Sequence, residues 1–99
     1  MAETLKQEAK RLLADVPEEY VFRSCNGHIL RNMKELGNEL KSMTGEHYAF
    51  HVNNGKNDFT NWVSDIIKDQ KLVKDLQIAP NQVQAANLVN ARISVLSKR

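Results

Sequence analysis

The chain has 99 residues, a length that suits one small domain. Its 41% hydrophobic and 26% charged residues are typical of a globular protein and argue against disorder, and the net charge of +2 is mild. A single cysteine, Cys25, excludes an internal disulfide, and no apolar run approaches the roughly 18–20 residues that cross a bilayer, so we expect a cytoplasmic protein without membrane contact.

The first half of the chain shows apolar residues at helical spacing. This spacing predicts a helix over 2–15 that ends before Pro17, followed by an irregular link. Asn26 and the glycine after it form the strongest turn signal, and Asn26 is predicted to cap a helix from about 27 to 43. The pair Thr44-Gly45 is expected to end that helix, with the glycine in a left-handed conformation.

In the second half, residues 46–52 alternate like a strand but have no partner strand nearby, so we predict a short helix. Asn57 or Asp58 is predicted to cap a helix that reaches about residue 77, with a bend near Lys68. The last helix is expected to start at Asn81.

The predicted fold is therefore an all-α domain covering 1–99, with four or five helices in an irregular bundle. Gly37 lies inside the second helix, where it costs roughly 1 kcal/mol relative to alanine. This glycine either allows another helix to approach closely or is a tolerated exposed residue. The predicted core consists of Leu12, Phe22, Met33, Leu36, Leu40, Phe59, Trp62, Ile66, Leu76, Val89 and Ile93.

A motif follows the ambiguous segment: Phe50-His51-Val52, then Lys56-Asn57-Asp58-Phe59, then Trp62. With the upstream Asn26-Gly27 and Glu35-Leu36, it resembles a family of small helical proteins of archaea and bacteria that have no assigned activity. The resemblance covers about residues 20–77. It implies a helical fold and no particular mechanism.

The Asn57-Asp58 pair has an adequate structural explanation, because either side chain can cap a helix start. Phe59 and Trp62 are three residues apart and can bury on one face. The functional alternative is a pocket floored by Trp62 and flanked by His51 and Asp58.

Metal binding is the sharpest chemical hypothesis, since Cys25-x-x-His28 and His47-x-x-x-His51 both have ligand spacing. The order of these pairs does not match a common zinc finger, so we expect no bound metal and no other cofactor. Catalysis is less well supported still, because the chain has no phosphate-binding loop and no nucleophile motif. We therefore expect a non-enzymatic protein. The carboxylates Glu35/Glu39 and Asp65/Asp69 are interpreted as solvated helix faces.

Nucleic-acid binding is an alternative function, because Lys68, Lys71 and Lys74 repeat every three residues and form a basic edge. Three aspartates interleave with these lysines, and no aromatic residue lies among them to stack on bases. Any such binding is expected to be independent of sequence.

The last helix has two apolar stripes, one more than packing on a single core requires. Leu88 and Val95 lie one heptad apart on the second stripe and predict a seam for a protein partner or another copy. Residues 1–20 carry a net charge of −2 and residues 61–99 a net charge of +3, which fits self-assembly. The competing interpretation is that Leu88 packs against the first helix and completes the monomer core.

Overall fold

The computed structural model describes residues 3–99 and is mostly helical. Its six α-helices are accompanied by a 3₁₀ turn at Glu18–Tyr20 and a π-helical turn at Val63–Ile67. The α-helices of this described part are α1 Leu5–Leu13, α2 Met33–Ser42, α3 Gly45–His51, α4 Asp58–Trp62, α5 Gln70–Gln77 and α6 Gln82–Ser97. The prediction of a mainly helical domain is confirmed, whereas the predicted number of four or five helices is too low.

Two small antiparallel hairpins interrupt the helices, and the sequence analysis missed both. In the first, β1 (Phe22–Arg23) pairs with β2 (Ile29–Leu30). In the second, β3 (Val52–Asn53) pairs with β4 (Lys56–Asn57). Each hairpin turns at a glycine with φ near +90°, a conformation that glycine adopts without steric cost.

The first hairpin overturns the prediction that Asn26 caps a helix starting at residue 27. The side chain of Asn26 accepts a hydrogen bond from the His28 amide, two residues on, and Gly27 reverses the chain. Helix α2 starts only at Met33, where Asn32 accepts the Glu35 N–H at 2.8 Å.

Every α-helix of the described chain starts with a side chain that accepts the amide three residues later. The capping residues are Thr4, Asn32, Thr44, Asn57, Asp69 and Asn81. The predicted caps at Asn57 and Asn81 are confirmed. The predicted role of Thr44-Gly45 is wrong, because Thr44 starts α3 and Gly45 is its first helical residue.

The first and fourth predicted helices are both shorter in the structure. Helix α1 ends at Leu13 because Ala14 is extended, and residue 2 of the predicted range lies outside the described residues. The helix predicted from Asp58 to 77 divides at Lys68, which is left-handed, with φ 67°. Asp69 then caps α5.

The core lies between the helices and is close to the predicted one. Of the predicted residues, Ile66 and Ile93 are half-buried and pack against the core, and the others are buried. Further buried apolar residues are Ala9, Leu30, Met43, Val63, Ile67, Leu72, Val73, Ala85, Ala86 and Leu96.

Helix α6 packs most extensively against α2 and also contacts α1 and α5. Gly37 lies in α2 at the point where α2 crosses α6. A Cβ atom at Gly37 would be 2.8 Å from Asn90 Oδ1 and 3.3 Å from Val89 Cγ1 of α6. The close-approach interpretation of Gly37 is therefore confirmed. The Gln82 side chain donates to the carbonyls of Leu40 and Met43 at the end of α2. In the described chain, no helix has the length and apolar content to span a membrane.

Candidate functional site

The His51 imidazole is the centre of the motif residues. It lies at the end of α3 and is 4% exposed. Its Nδ1 is 2.9 Å from Asp58 Oδ2, and its Nε2 accepts the backbone N–H of Cys25 at 3.1 Å. One side chain thus connects the first hairpin with the start of α4.

These two bonds fix the tautomer of His51. A backbone N–H can only donate, so Nε2 carries the lone pair and Nδ1 carries the proton that Asp58 accepts. Burial alone would raise the pKa of Asp58, but the hydrogen bonds from His51 and Lys56 outweigh it and lower that pKa. With both ring nitrogens engaged, His51 has no free lone pair with which to deprotonate the Cys25 thiol.

Aromatic rings surround His51 on several sides. The Phe22 ring centroid is 5.2 Å from that of His51 and 5.0 Å from that of Phe59. Trp62 packs edge-on against Phe22, and its Nε1–H donates to the Tyr20 carbonyl at 2.8 Å. These rings give the motif a structural role at the junction of the two hairpins with α3 and α4.

The remaining motif residues also have local partners. Lys56 Nζ lies 3.2 Å from Asp58 Oδ2 and 4.9 Å from the centroid of the Phe50 ring. Asn57 accepts the Thr60 N–H at 2.9 Å as the cap of α4. The pocket floored by Trp62 stays a prediction.

The side chains of the four candidate metal ligands do not converge on one point. His28 Nδ1 is 2.8 Å from Glu39 Oε1, and His51 bonds to Asp58. The Cys25 thiol lies 3.9 Å from the backbone carbonyl oxygen of His47, so its contact with His47 is to the main chain and does not involve the imidazole ring. Among residues 3–99, no three histidine, cysteine or acidic side chains form a group that could hold a metal ion.

Glu39 is a buried acid, although the sequence analysis placed it on a solvated helix face. It is 4% exposed. Burial raises the pKa of the Glu39 carboxyl, but hydrogen bonding, chiefly from His28, lowers that pKa by more, so the net shift is downward. Its Oε2 atom and the hydroxyl of the neighbouring Ser24 have no hydrogen-bond partner in the described chain. No signal in the sequence separated Glu39 from the exposed acids, because its partner is in the first hairpin.

Asp69 is also buried, contrary to the same interpretation, and is 2% exposed. Arg92 of α6 binds both of its carboxylate oxygens, with Nε at 2.7 Å and Nη2 at 3.0 Å. The same carboxylate accepts the Leu72 N–H at the start of α5. This ion pair connects α5 to α6, and the sequence analysis missed it.

A cleft of about 440 Å³ opens beside this ion pair, where α1, α5 and α6 meet. It brings together Lys68 and Lys71 of the predicted basic edge, but Lys74 is not part of its lining. Three of the four lining cations have carboxylate partners: besides Arg92 with Asp69, Arg99 lies 2.7 Å from Glu8 and Lys71 lies 3.0 Å from Asp75. The charged lining consists of Lys68, Lys71, Arg92, Arg99, Glu8 and Asp69, a net charge of +2.

The two residues of the predicted seam, Leu88 and Val95, line one groove of about 310 Å³ between α5 and α6. Leu88 is half-buried and Val95 is 50% exposed. Lys71 and Asp75 form the α5 side of the groove, and its lining includes no residue of α1. This position gives no support to packing of Leu88 against the first helix.

Comparison with known proteins adds no relative. No family model matches the chain, and neither the curated proteins nor the solved structures contain a match. The resemblance to the archaeal and bacterial family therefore stays a prediction.

Proposed function

We propose that this protein is a non-enzymatic interaction module that pairs with a second copy of itself through the outer face of α6. The observation that carries the proposal is the absence of charge among the exposed residues of α6, although charged residues of α5 and the chain end border the groove of Leu88 and Val95. Arg92 is the only charged side chain within Gln82–Ser97, and it is bound to Asp69. The exposed residues of α6 are Val83, Gln84, Asn87, Ala91, Ser94, Val95 and Ser97.

Loss of charge is what distinguishes the centre of a protein interface from ordinary surface. A solvent-facing helix usually carries lysine and glutamate, as α1 does in this chain. Helix α6 instead exposes small polar and apolar side chains over four turns. Val83 and Val95 leave 66% and 50% of their surface in water.

The chemistry of the face favours a second copy as the partner. Ala91 lies midway between Leu88 and Val95 on the same side of the helix. Two antiparallel helices that cross near Ala91 can approach closely, and Leu88 then lies against Val95 of the partner subunit. The contact repeats with the roles exchanged, so one patch supplies both halves of a two-fold interface.

Light scattering coupled to size exclusion tests the proposal. We expect a dimer for the wild type and a folded monomer for Val95→Glu, because a carboxylate would replace an apolar contact at the seam and would lose its hydration there. Leu88→Glu should also give a folded monomer. Val83→Glu is the matched control, since Val83 is 66% exposed on the same helix but points roughly 120° away from the seam.

A wild type that stays monomeric at high concentration would refute the proposal. A Val95→Glu variant that remains dimeric would also refute it, because the dimer would then use another surface. Circular dichroism of each variant separates dissociation from unfolding.

Binding of nucleic acid through Lys68, Lys71 and Lys74 has less support. Lys71 is paired with Asp75, and only two of the three lysines line one cleft. Such binding would depend strongly on salt.

A further inference from the structure

Lys68 has an unusual backbone for its residue type. It is the one non-glycine residue of the described chain with positive φ, at φ 67° and ψ 39°. Its N–H donates to the Val63 carbonyl and closes the π-helical turn. Glycine is the usual residue at such a helix end, because a Cβ atom is strained there. Strained residues of this kind often occur at ligand sites.

The Lys68 side chain lies between two clefts. One is the basic cleft described above, with Lys71 and Arg92 in its lining. The other has a volume of about 330 Å³ and lies between the 3₁₀ turn and the end of the π-helical turn. Lys68 is exposed, and within residues 3–99 its ammonium group forms no salt bridge.

The two clefts have different chemistry. The basic cleft has a net charge of +2 and presents N–H donors, which suit a phosphate group. The second cleft has apolar walls from Pro17 and Ile66, and its lining includes Tyr20, a residue that is 52% exposed. Asp65 adds an acceptor for an amino group. Folding thus places an aromatic ring beside Lys68, although none lies among the lysines in the sequence.

We propose that these two clefts, which share Lys68 in their linings, together bind a ligand of the mononucleotide class, with its phosphate on Lys68 and Lys71 and its base against Tyr20. Any of the nucleic-acid bases can stack on an aromatic side chain, because each base is planar. The phosphate would pair chiefly with Lys68, the one lining cation that has no carboxylate partner among the described residues, and would share Lys71 with Asp75. A free nucleotide and the end of a single-stranded nucleic acid share this chemistry. The ligand site borders the proposed α6 seam, because Lys71, Arg92 and Arg99 line both this basic cleft and the groove of that seam.

Titrations followed by amide chemical shifts test the site with four probes: adenosine monophosphate, adenosine, inorganic phosphate and a short single-stranded oligonucleotide. We expect the monophosphate to bind more tightly than adenosine or phosphate, with shifts at Tyr20 and Lys68. Tighter binding of the oligonucleotide would identify a nucleic-acid end as the source of the ligand. Equal affinities of the oligonucleotide and the monophosphate would identify a free nucleotide as the ligand.

Lys68→Gly separates binding from folding. Glycine accepts the left-handed backbone, so this variant should melt at or above the wild-type temperature. Loss of the charged hydrogen bond should weaken monophosphate binding by about tenfold or more. Lys74→Ala removes an exposed lysine of α5 outside both linings and should leave the affinity unchanged.

Tyr20→Leu tests the base subsite. Trp62 bonds to the main-chain carbonyl of Tyr20, so the fold should survive this change. Monophosphate affinity should fall while phosphate affinity stays the same. The proposal is overturned if the monophosphate binds no better than phosphate, or if Lys68→Gly binds it as well as the wild type does.

Discussion

Removal of the Arg92 guanidinium should be among the most damaging single changes in this protein. Arg92 is 11% exposed and binds both oxygens of Asp69, which is 2% exposed. In Arg92→Met the apolar stem is kept, but a buried carboxylate loses its cation. Breaking a buried pair in this way costs about 3–5 kcal/mol of the free energy of unfolding.

The same chain offers a matched control at its surface. Arg11 binds Glu3 through two bonds of 2.9 Å, so the geometry of the pair is similar. Its members are 48% and 36% exposed, and solvent screens their attraction. Arg11→Met should therefore cost far less than Arg92→Met. The difference between the two variants measures the effect of burial.

Urea unfolding followed by circular dichroism gives both free energies. Asp69→Asn keeps an acceptor for the α5 start and removes the charge, so the double variant with Arg92→Met should recover part of the loss. If Arg92→Met is no less stable than Arg11→Met, the Asp69 carboxylate is not isolated from water and the reasoning fails.

Two further predictions concern packing and pH. Gly37→Ala should be less stable than Gly45→Ala by about 1–3 kcal/mol in urea unfolding, because a Cβ at residue 37 meets Asn90 at 2.8 Å and one at residue 45 meets open space; equal stabilities would contradict this. The pKa values of Asp58 and Glu39 are lowered in the folded state. Their contribution to the free energy of unfolding is therefore complete above pH values equal to the ordinary pKa values of 3.8 and 4.5, and it is lost as the pH falls through the lower folded pKa values. The urea midpoint should decrease in that range, and Asp58→Asn should flatten the decrease; a slope identical to that of the wild type would contradict it.

The features that were predictable from sequence depend on residues close together in the chain. Asn57 and Asn81 each cap the helix that follows, and the partner amide is only three residues away. Core residues such as Leu36 and Val89 follow from helical periodicity, because a repeating apolar position must face the interior.

The features that were missed depend on partners far along the chain. Glu39 and Asp69 look like exposed acids until folding brings His28 and Arg92 to them. A bend near Lys68 was predicted, but the full helix break and the left-handed backbone of Lys68 were not, because lysine is not a residue that signals a left-handed turn. The first hairpin turns at Asn26 and Gly27, and this turn signal was interpreted as the cap of a helix.

The pairing of α2 with α6 has a consequence for synthesis of the chain. The two helices are separated by α3, α4 and α5, so α2 emerges from the ribosome well before its main packing partner. Until residues up to about 97 are made, the apolar side of α2 stays uncovered, and the last carbonyls near Met43 lack the Gln82 amide. The nascent chain therefore leaves part of the apolar surface of α2 exposed until α6 is made, and the core is completed in a late step.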